Sequence, residues 1–175
     1  MRKLKLTELN RLSPQDYSKS EKAPIVLVLD NIRSGLNIGS AMRTADCLGI
    51  EAIYLCGISV CPPHREISKT AIGAEKVVKW KYFKSTEEAL IELKQKSYAL
   101  VGVEQTTNSV PLQDFEWKGE QPIALVMGNE VKGISEDALN KLDRCIEIPQ
   151  FGTKHSFNVS VCTGIVLWDL RSRLI

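Results

Sequence analysis

Short apolar runs alternate with segments of helical periodicity along most of the chain. The runs IVLVLD (25–30), EAIYLC (51–56), VVKWKY (77–82), YALVGV (98–103), IALVM (123–127) and CIEI (145–148) have the length and residue types of strands. Residues 37–48, 66–72, 85–96, 135–142 and 158–171 predict helices. In the first of these, Ile38, Ala41, Met42, Ala45 and Leu48 form one apolar stripe that faces the sheet. Strand-length runs alternating with amphipathic helices predict an α/β fold, a mainly parallel sheet with helices on both faces.

Polar residues mark the helix starts. Asn37 is placed to cap the first helix, Ser85 and Ser135 to cap the third and fourth, and Asn158 the last, with Ser156 just before it. The acids after Ser85 and Ser135 suit the positive end of the helix dipole. The last helix is unusual, because Val159, Val161, Cys162, Ile165, Val166, Leu167 and Leu170 surround most of its circumference. Such a helix is buried, or sandwiched between the core and a second subunit. At the other end, Leu4, Leu6, Leu9 and Leu12 predict a short helix lying on the body. It falls in an extension, residues 1–22, set apart by the polar stretch SPQDYSKSEKAP from a domain spanning 23–175.

Composition narrows the class. With 43% hydrophobic and 25% charged residues the chain is neither disordered nor fibrous. Its apolar runs are too short for a bilayer, and MRKLKLTELNRL has no signal-like apolar core, so no membrane association is expected. Five cysteines, an odd number without a CxxC, predict reduced thiols and a cytoplasmic setting. Cys56, Cys61 and His64 fit no zinc spacing, and no metal is expected. Net charge is only +2, but residues 1–22 carry a net +3 and residues 64–84 a net +4. These are either solvated faces or two patches for a phosphate-bearing partner.

Candidate chemistry lies at three loops. NIRSGLNIGSAMR (31–43) turns a strand into a helix with two glycines and two asparagines, a backbone suited to close approach. Asn37 and the helix N-terminus there make an anion site, with Arg43 a turn past Gly39. A plain turn, with Arg43 paired to Asp46, explains the same residues. Neither GxGxxG nor GxxxxGK[ST] occurs, which argues against a dinucleotide or Walker site. ALVMGNEVKGIS (124–135) and IPQFGTKHSFNVSVCTGIVLWDL (148–170) repeat the theme of a strand ending in an irregular polar loop.

Together, NIRSGLNIGSAMRTADCLGI, LVMGNEVKGIS and IPQFGTKHSFNVSV resemble, in order and spacing, the three motifs of the SpoU/TrmH RNA ribose methyltransferases of the SPOUT superfamily. SKTAIGAE (68–75) resembles that family's segment after the second strand, and the likeness covers residues 24–172. It implies methyl transfer from S-adenosylmethionine to a ribose 2′-hydroxyl of RNA. It also implies a C-terminal trefoil knot and a homodimer with composite active sites.

Matched position by position, the resemblance places Asn37 and Arg43 against the RNA ribose and its phosphate. It sets Glu130, Ser156 and Asn158 beside them in the second and third motifs. Gly128, Ile148 and Phe157 stand where the family holds the cofactor, with Glu104 lining the same pocket. Phe157 replaces a leucine usual there, which reshapes an apolar wall around adenine. A guanidinium does not deprotonate in proteins, so Arg43 is expected to orient the phosphate and stabilise the developing alkoxide rather than act as base. The short N-terminal extension favours tRNA slightly over rRNA. The rival reading is a catalytically silent RNA-binding module, against which the presence of all five polar motif residues argues.

Overall fold

The computed structural model describes residues 1–175, except for the side chain of Leu6. A helix α1 (Pro14–Lys19) precedes the first strand, β1 (Ala23–Asp30). There follow α2 (Gly35–Leu48), β2 (Ile50–Cys56), α3 (Arg65–Ala71), β3 (Trp80–Phe83), α4 (Thr86–Gln95) and β4 (Ala99–Val103). The rest comprises β5 (Val110–Pro111), β6 (Ile123–Met127), α5 (Glu136–Leu139), β7 (Arg144–Glu147) and α6 (Val159–Ser172). The seven strands form one sheet in the order β3-β2-β1-β6-β4-β7-β5, and every pairing is parallel.

β1 and β6 are the middle of this sheet, which explains their unbroken apolar character. A parallel strand covered on both faces has no polar side to show. Leu27 and Leu29 of β1, with Ile53 and Leu55 of β2, meet Ile38 and Met42 of α2 and Val166, Leu167 and Leu170 of α6. On the opposite face, Val26, Val28 and Tyr54 pack with Leu90 and Leu93 of α4 and Ala138 of α5. No helix among the described residues is long and apolar enough to cross a membrane.

The structure corrects several element ends. α2 starts at Gly35, and the residue that caps it is Ser34, whose hydroxyl accepts the Asn37 N–H at 3.2 Å. Asn37 therefore lies inside the first turn, and its side chain is free for other partners. β3 begins only at Trp80, because a 3₁₀ turn at Ala74–Lys76 takes the Val77 and Val78 N–H groups back to Ala74. α5 is a single turn at Glu136–Leu139. Ser135 precedes it with extended backbone but makes no side-chain cap; its own N–H donates to Asp30 at 2.7 Å.

At the N-terminus the helix is not the leucine-patterned segment. Leu6 opens a 3₁₀ turn at Leu6–Glu8, the other leucines lie on either side of it, and Leu4 and Leu12 are exposed. The Leu6 side chain lies outside the described residues. The helix forms instead in the polar stretch, where Ser13 caps through the Asp16 N–H and Pro14 occupies the first turn.

The last helix is covered on one side alone. Thr163, Val166, Leu167 and Leu170 are buried, whereas Val161, Ile165 and Trp168 form an exposed apolar stripe. Their i, i+4, i+7 spacing keeps the three on one face.

Candidate functional site

The carboxyl ends of β4, β6 and β7 open into one cavity of about 700 Å³. Crevices at the carboxyl ends of parallel strands are where α/β sheets bind ligands, because the connections there diverge and leave backbone groups unpaired. Here Glu104, Gly128 and Ile148 follow directly on the three strands, and the loop before α6 closes the cavity with Ser156, Phe157 and Asn158.

A hydrogen-bonded line joins the three motif loops beside this cavity. Asn158 donates through Nδ2 to Asn37 Oδ1 at 3.2 Å, and Asn37 donates through Nδ2 to Glu130 Oε1 at 3.0 Å. The Glu130 carboxylate also accepts the backbone N–H groups of Arg33 and Ser34, both at 3.1 Å. It thus sits at the positive end of α2 although it belongs to the loop after β6. Burial pushes its carboxyl up, but the bonds from its own backbone, Asn37, Arg33 and Ser34 outweigh this and hold it below the ordinary carboxylate range. Asn158 meanwhile caps α6, accepting the N–H groups of Ser160 at 2.9 Å and Val161 at 3.4 Å.

The cavity walls are held by backbone–carboxylate contacts. Glu104 accepts from Gln105 N at 3.1 Å with one oxygen and from Ile134 N at 2.9 Å with the other. A carboxylate tied at both oxygens keeps further lone pairs for a hydroxyl-bearing ligand. Gly128 permits the turn after β6 to fold on itself: a Cβ there would lie 2.2 Å from the carbonyl carbon of Gly133. Cys162 also lines the cavity, but burial, and then the charge of Glu104, push its thiol up to about 11. It is protonated at neutral pH and not a nucleophile.

The structure therefore brings Asn37, Glu130 and Asn158 into direct contact and sets Glu104, Gly128, Ile148, Ser156 and Phe157 around the adjoining cavity. Ser156 is exposed. Arg43 is not brought there within one chain. It lies six residues beyond Asn37 on α2, about 9 Å along the axis, exposed and outside the cavity lining. It forms no ion pair among the described residues, so the pairing with Asp46 is not made. Asp46 is pushed up by burial, and the charge that opposes this is Lys22.

Gly39 has a different use from a ligand approach. A Cβ there would lie 2.3 Å from the Ile67 carbonyl oxygen, so the glycine seats α2 against α3.

Several further residues hold the site. Asp30 is fully buried and accepts from Thr86 Oγ1, Asn31 Nδ2 and Ser135 N, tying β1 to α4 and to the β6–α5 loop. Asn129 donates to the Asn31 carbonyl at 2.7 Å, docking the second motif on the first. Gln105 and Gln150 both donate to the His155 carbonyl, at 2.8 and 3.1 Å, and fix the third loop. Asn31, Asn129 and Gln150 stand inside the quoted motifs as polar loop residues; Gln105 lies outside them and looks like any other polar side chain at a strand end.

Residues 24–168 match the model of the SpoU rRNA Methylase family. A 23S rRNA (guanosine-2'-O-)-methyltransferase RlmB of Vibrio parahaemolyticus is 31% identical over 168 residues, 95% of this chain and 67% of the relative. A tRNA (guanosine(18)-2'-O)-methyltransferase of Aquifex aeolicus is 28% identical over 161 residues, 89% of this chain and 72% of the relative. Among solved structures, an AdoMet-bound rRNA methyltransferase from Sinorhizobium meliloti superposes with a TM-score of 0.82 at 26% identity, covering 94% of this chain and 62% of that one. The chain spans 60% of the length of two further RlmB relatives, from Neisseria meningitidis and Pseudomonas aeruginosa.

Proposed function

The chain belongs to the SpoU rRNA methylase family, and on that footing we propose that it methylates a ribose 2′-hydroxyl of RNA with S-adenosylmethionine as donor. The observation that carries this reading is the Asn158–Asn37–Glu130 line, which unites three loops far apart in sequence at the mouth of one cavity. A silent binding module has no need of that arrangement.

The residues of the cavity fit the cofactor. Its volume of about 700 Å³ suits a nucleoside with an amino-acid arm. Ile148 and Phe157 supply apolar wall for a purine, the Gly128 turn supplies backbone polar groups, and Glu104 offers carboxylate lone pairs to ribose hydroxyls. When bound, the cofactor supplies an electrophilic methyl group on a sulfonium. The ribose oxygen must approach in line and lose its proton as the carbon–oxygen bond forms. Glu130 is ionised at neutral pH and the Asn37 amide is held by two partners, so both are set to orient a ribose. Arg43 stabilises the developing oxyanion and positions the neighbouring phosphate.

In this reading Arg43 serves the cavity of a second copy. α2 and α6 lie side by side, and α6 exposes Val161, Ile165 and Trp168. Three large apolar side chains on one helix face favour a homodimer that covers them. The knotted threading of the C-terminal segment belongs to the same proposal, as does the use of residues 1–22 as a basic RNA-contacting arm. The RNA is tRNA or rRNA, since relatives are named for each.

The test is incubation with methyl-labelled S-adenosylmethionine and RNA from cells lacking the protein, followed by mapping of ribose methylation. Label at one 2′-oxygen supports the reading. S-adenosylmethionine binding without label transfer to any tRNA or rRNA fraction sinks it in favour of the silent module.

A further inference from the structure

The edge strand β3 is basic and aromatic at once. Trp80 and Tyr82 are 37% and 46% exposed. They pair in register with Ile53 and Leu55 of β2, so both rings stand on the face of the sheet that carries α3. Tyr82 is held by its hydroxyl, which donates to the Gly57 carbonyl at 3.0 Å. Lys84, two residues past Tyr82, and Arg65 and Lys69 on α3 are exposed and form no ion pair among the described residues, whereas Lys81, of the opposite parity, lies on the other face with Glu92.

Lysines on an edge strand are expected, because they discourage strand addition by another chain. That role needs no exposed tryptophan and tyrosine, which work against it. A protein-docking patch would exclude charge from its centre, whereas here cations flank both rings. Rings and unpaired cations on one surface match a polyanion with flat, unstacked groups. Two residues apart on a strand, the rings are separated by about 6.6 Å, enough for each to take its own base.

We propose that the β3–α3 face is a platform for unpaired nucleotides of the substrate RNA, with bases on Trp80 and Tyr82 and phosphates on Lys84 and on Arg65 and Lys69 of α3. The platform rests on the proposed action on RNA. β3 is four strands from β4, roughly 19 Å across the sheet, so it holds RNA several nucleotides from the modified ribose. It contributes affinity and a preference for a single-stranded flank, and no chemistry.

The test uses the full chain, with a short labelled oligouridylate and bulk tRNA as probes, anisotropy across a salt series, and parallel measurements of S-adenosylmethionine binding, sedimentation and methyl transfer. Trp80→Ala and Tyr82→Ala should each weaken oligouridylate binding about tenfold, with cofactor affinity and sedimentation unchanged. Trp80→Phe keeps a stacking face and should retain most of the affinity. Lys84→Ala should lower the salt slope by about 0.7. Should either alanine variant fail to fold, Trp80→Phe and Lys84→Ala decide: an unaltered slope in Lys84→Ala overturns the platform. Alanine variants that fold and bind like wild type also overturn it, and undiminished wild-type methyl transfer would then leave the ribose reading standing. A changed sedimentation coefficient in Trp80→Ala would assign the face to a second copy of the chain and overturn the RNA platform. Wild-type chain that binds cofactor but transfers no methyl to RNA refutes the parent reading instead.

Discussion

Glu130→Ala isolates the contact on which the site is assembled. The carboxylate accepts two backbone N–H groups at the start of α2 and the amide of Asn37. Losing an acceptor at a helix N-terminus costs about 1 kcal/mol, and losing an anion at the dipole's positive end a further ~0.5 kcal/mol. Water reaches this exposed residue and replaces part of both, so the sum of about 1.5 kcal/mol is an upper value. In a chain of this length that lowers the melting temperature by roughly 3–6 °C. The pH dependence gives the sharper check. The folded-state pKa is depressed, so the stabilisation is fully present above the unfolded value near 4.5 and is lost as pH falls through the lower folded value. Urea unfolding of wild type and variant at pH 7 should show the full gap, and the gap should narrow progressively below about pH 4.5. Glu130→Gln keeps an acceptor and loses the charge, and should fall between the two. Methyl transfer by Glu130→Ala should drop by roughly 10²-fold, with cofactor affinity little changed. A gap below about 0.3 kcal/mol at pH 7, or one that stays constant into acid, would show that Glu130 does not hold these loops as an anion.

Arg43→Ala should fold and bind S-adenosylmethionine like wild type, since Arg43 has no ion pair to lose, while single-turnover methylation falls by about 10²-fold; near-normal turnover would make it a bystander. Arg43→Lys should be nearly as slow if the planar fork positions the phosphate. Ile165→Asp or Trp168→Asp should yield a folded monomer by sedimentation, whereas Val166→Asp, at a fully buried position, should yield unfolded protein by circular dichroism; a wild-type monomer at micromolar concentration would contradict the dimer. Asp30→Ala leaves one buried and two half-buried donors without their acceptor and should cost about 3 kcal/mol in denaturant unfolding; a cost under 1 kcal/mol would mean that water satisfies them.

Much of the architecture was legible because each strand and helix states its environment locally. β1 and β6 are apolar on both faces, and only a strand in the middle of a parallel sheet needs that. Asn158 was recognisable as a cap because its acceptor serves N–H groups two and three residues on. Where local signals competed, the reading slipped. Ser34 and Asn37 are both good caps; the helix starts at Gly35 with Ser34 accepting the Asn37 N–H, and the Asn37 side-chain oxygen accepts instead from Asn158, 121 positions away.

The sequence by itself determined the alternation of elements, the two faces of the core, the three polar loops and the family resemblance, since all of these follow from short-range pattern. The strand order was decided only by the tertiary structure: β6 lies between β1 and β4, and nothing near residue 123 states this. That insertion places Gly128 next to the end of β1 and lets Glu130 reach α2. Arg43 lies outside the cavity lining and α6 keeps an exposed apolar stripe, and both follow from how the helices pack rather than from local pattern. Residues such as Asp30, Gln105 and Gln150 acquire their roles from partners 50 to 105 positions away, or across a loop. A hydrogen bond depends on distance and angle in space, and a polar side chain carries no mark of which distant donor or acceptor the folded chain will bring to it.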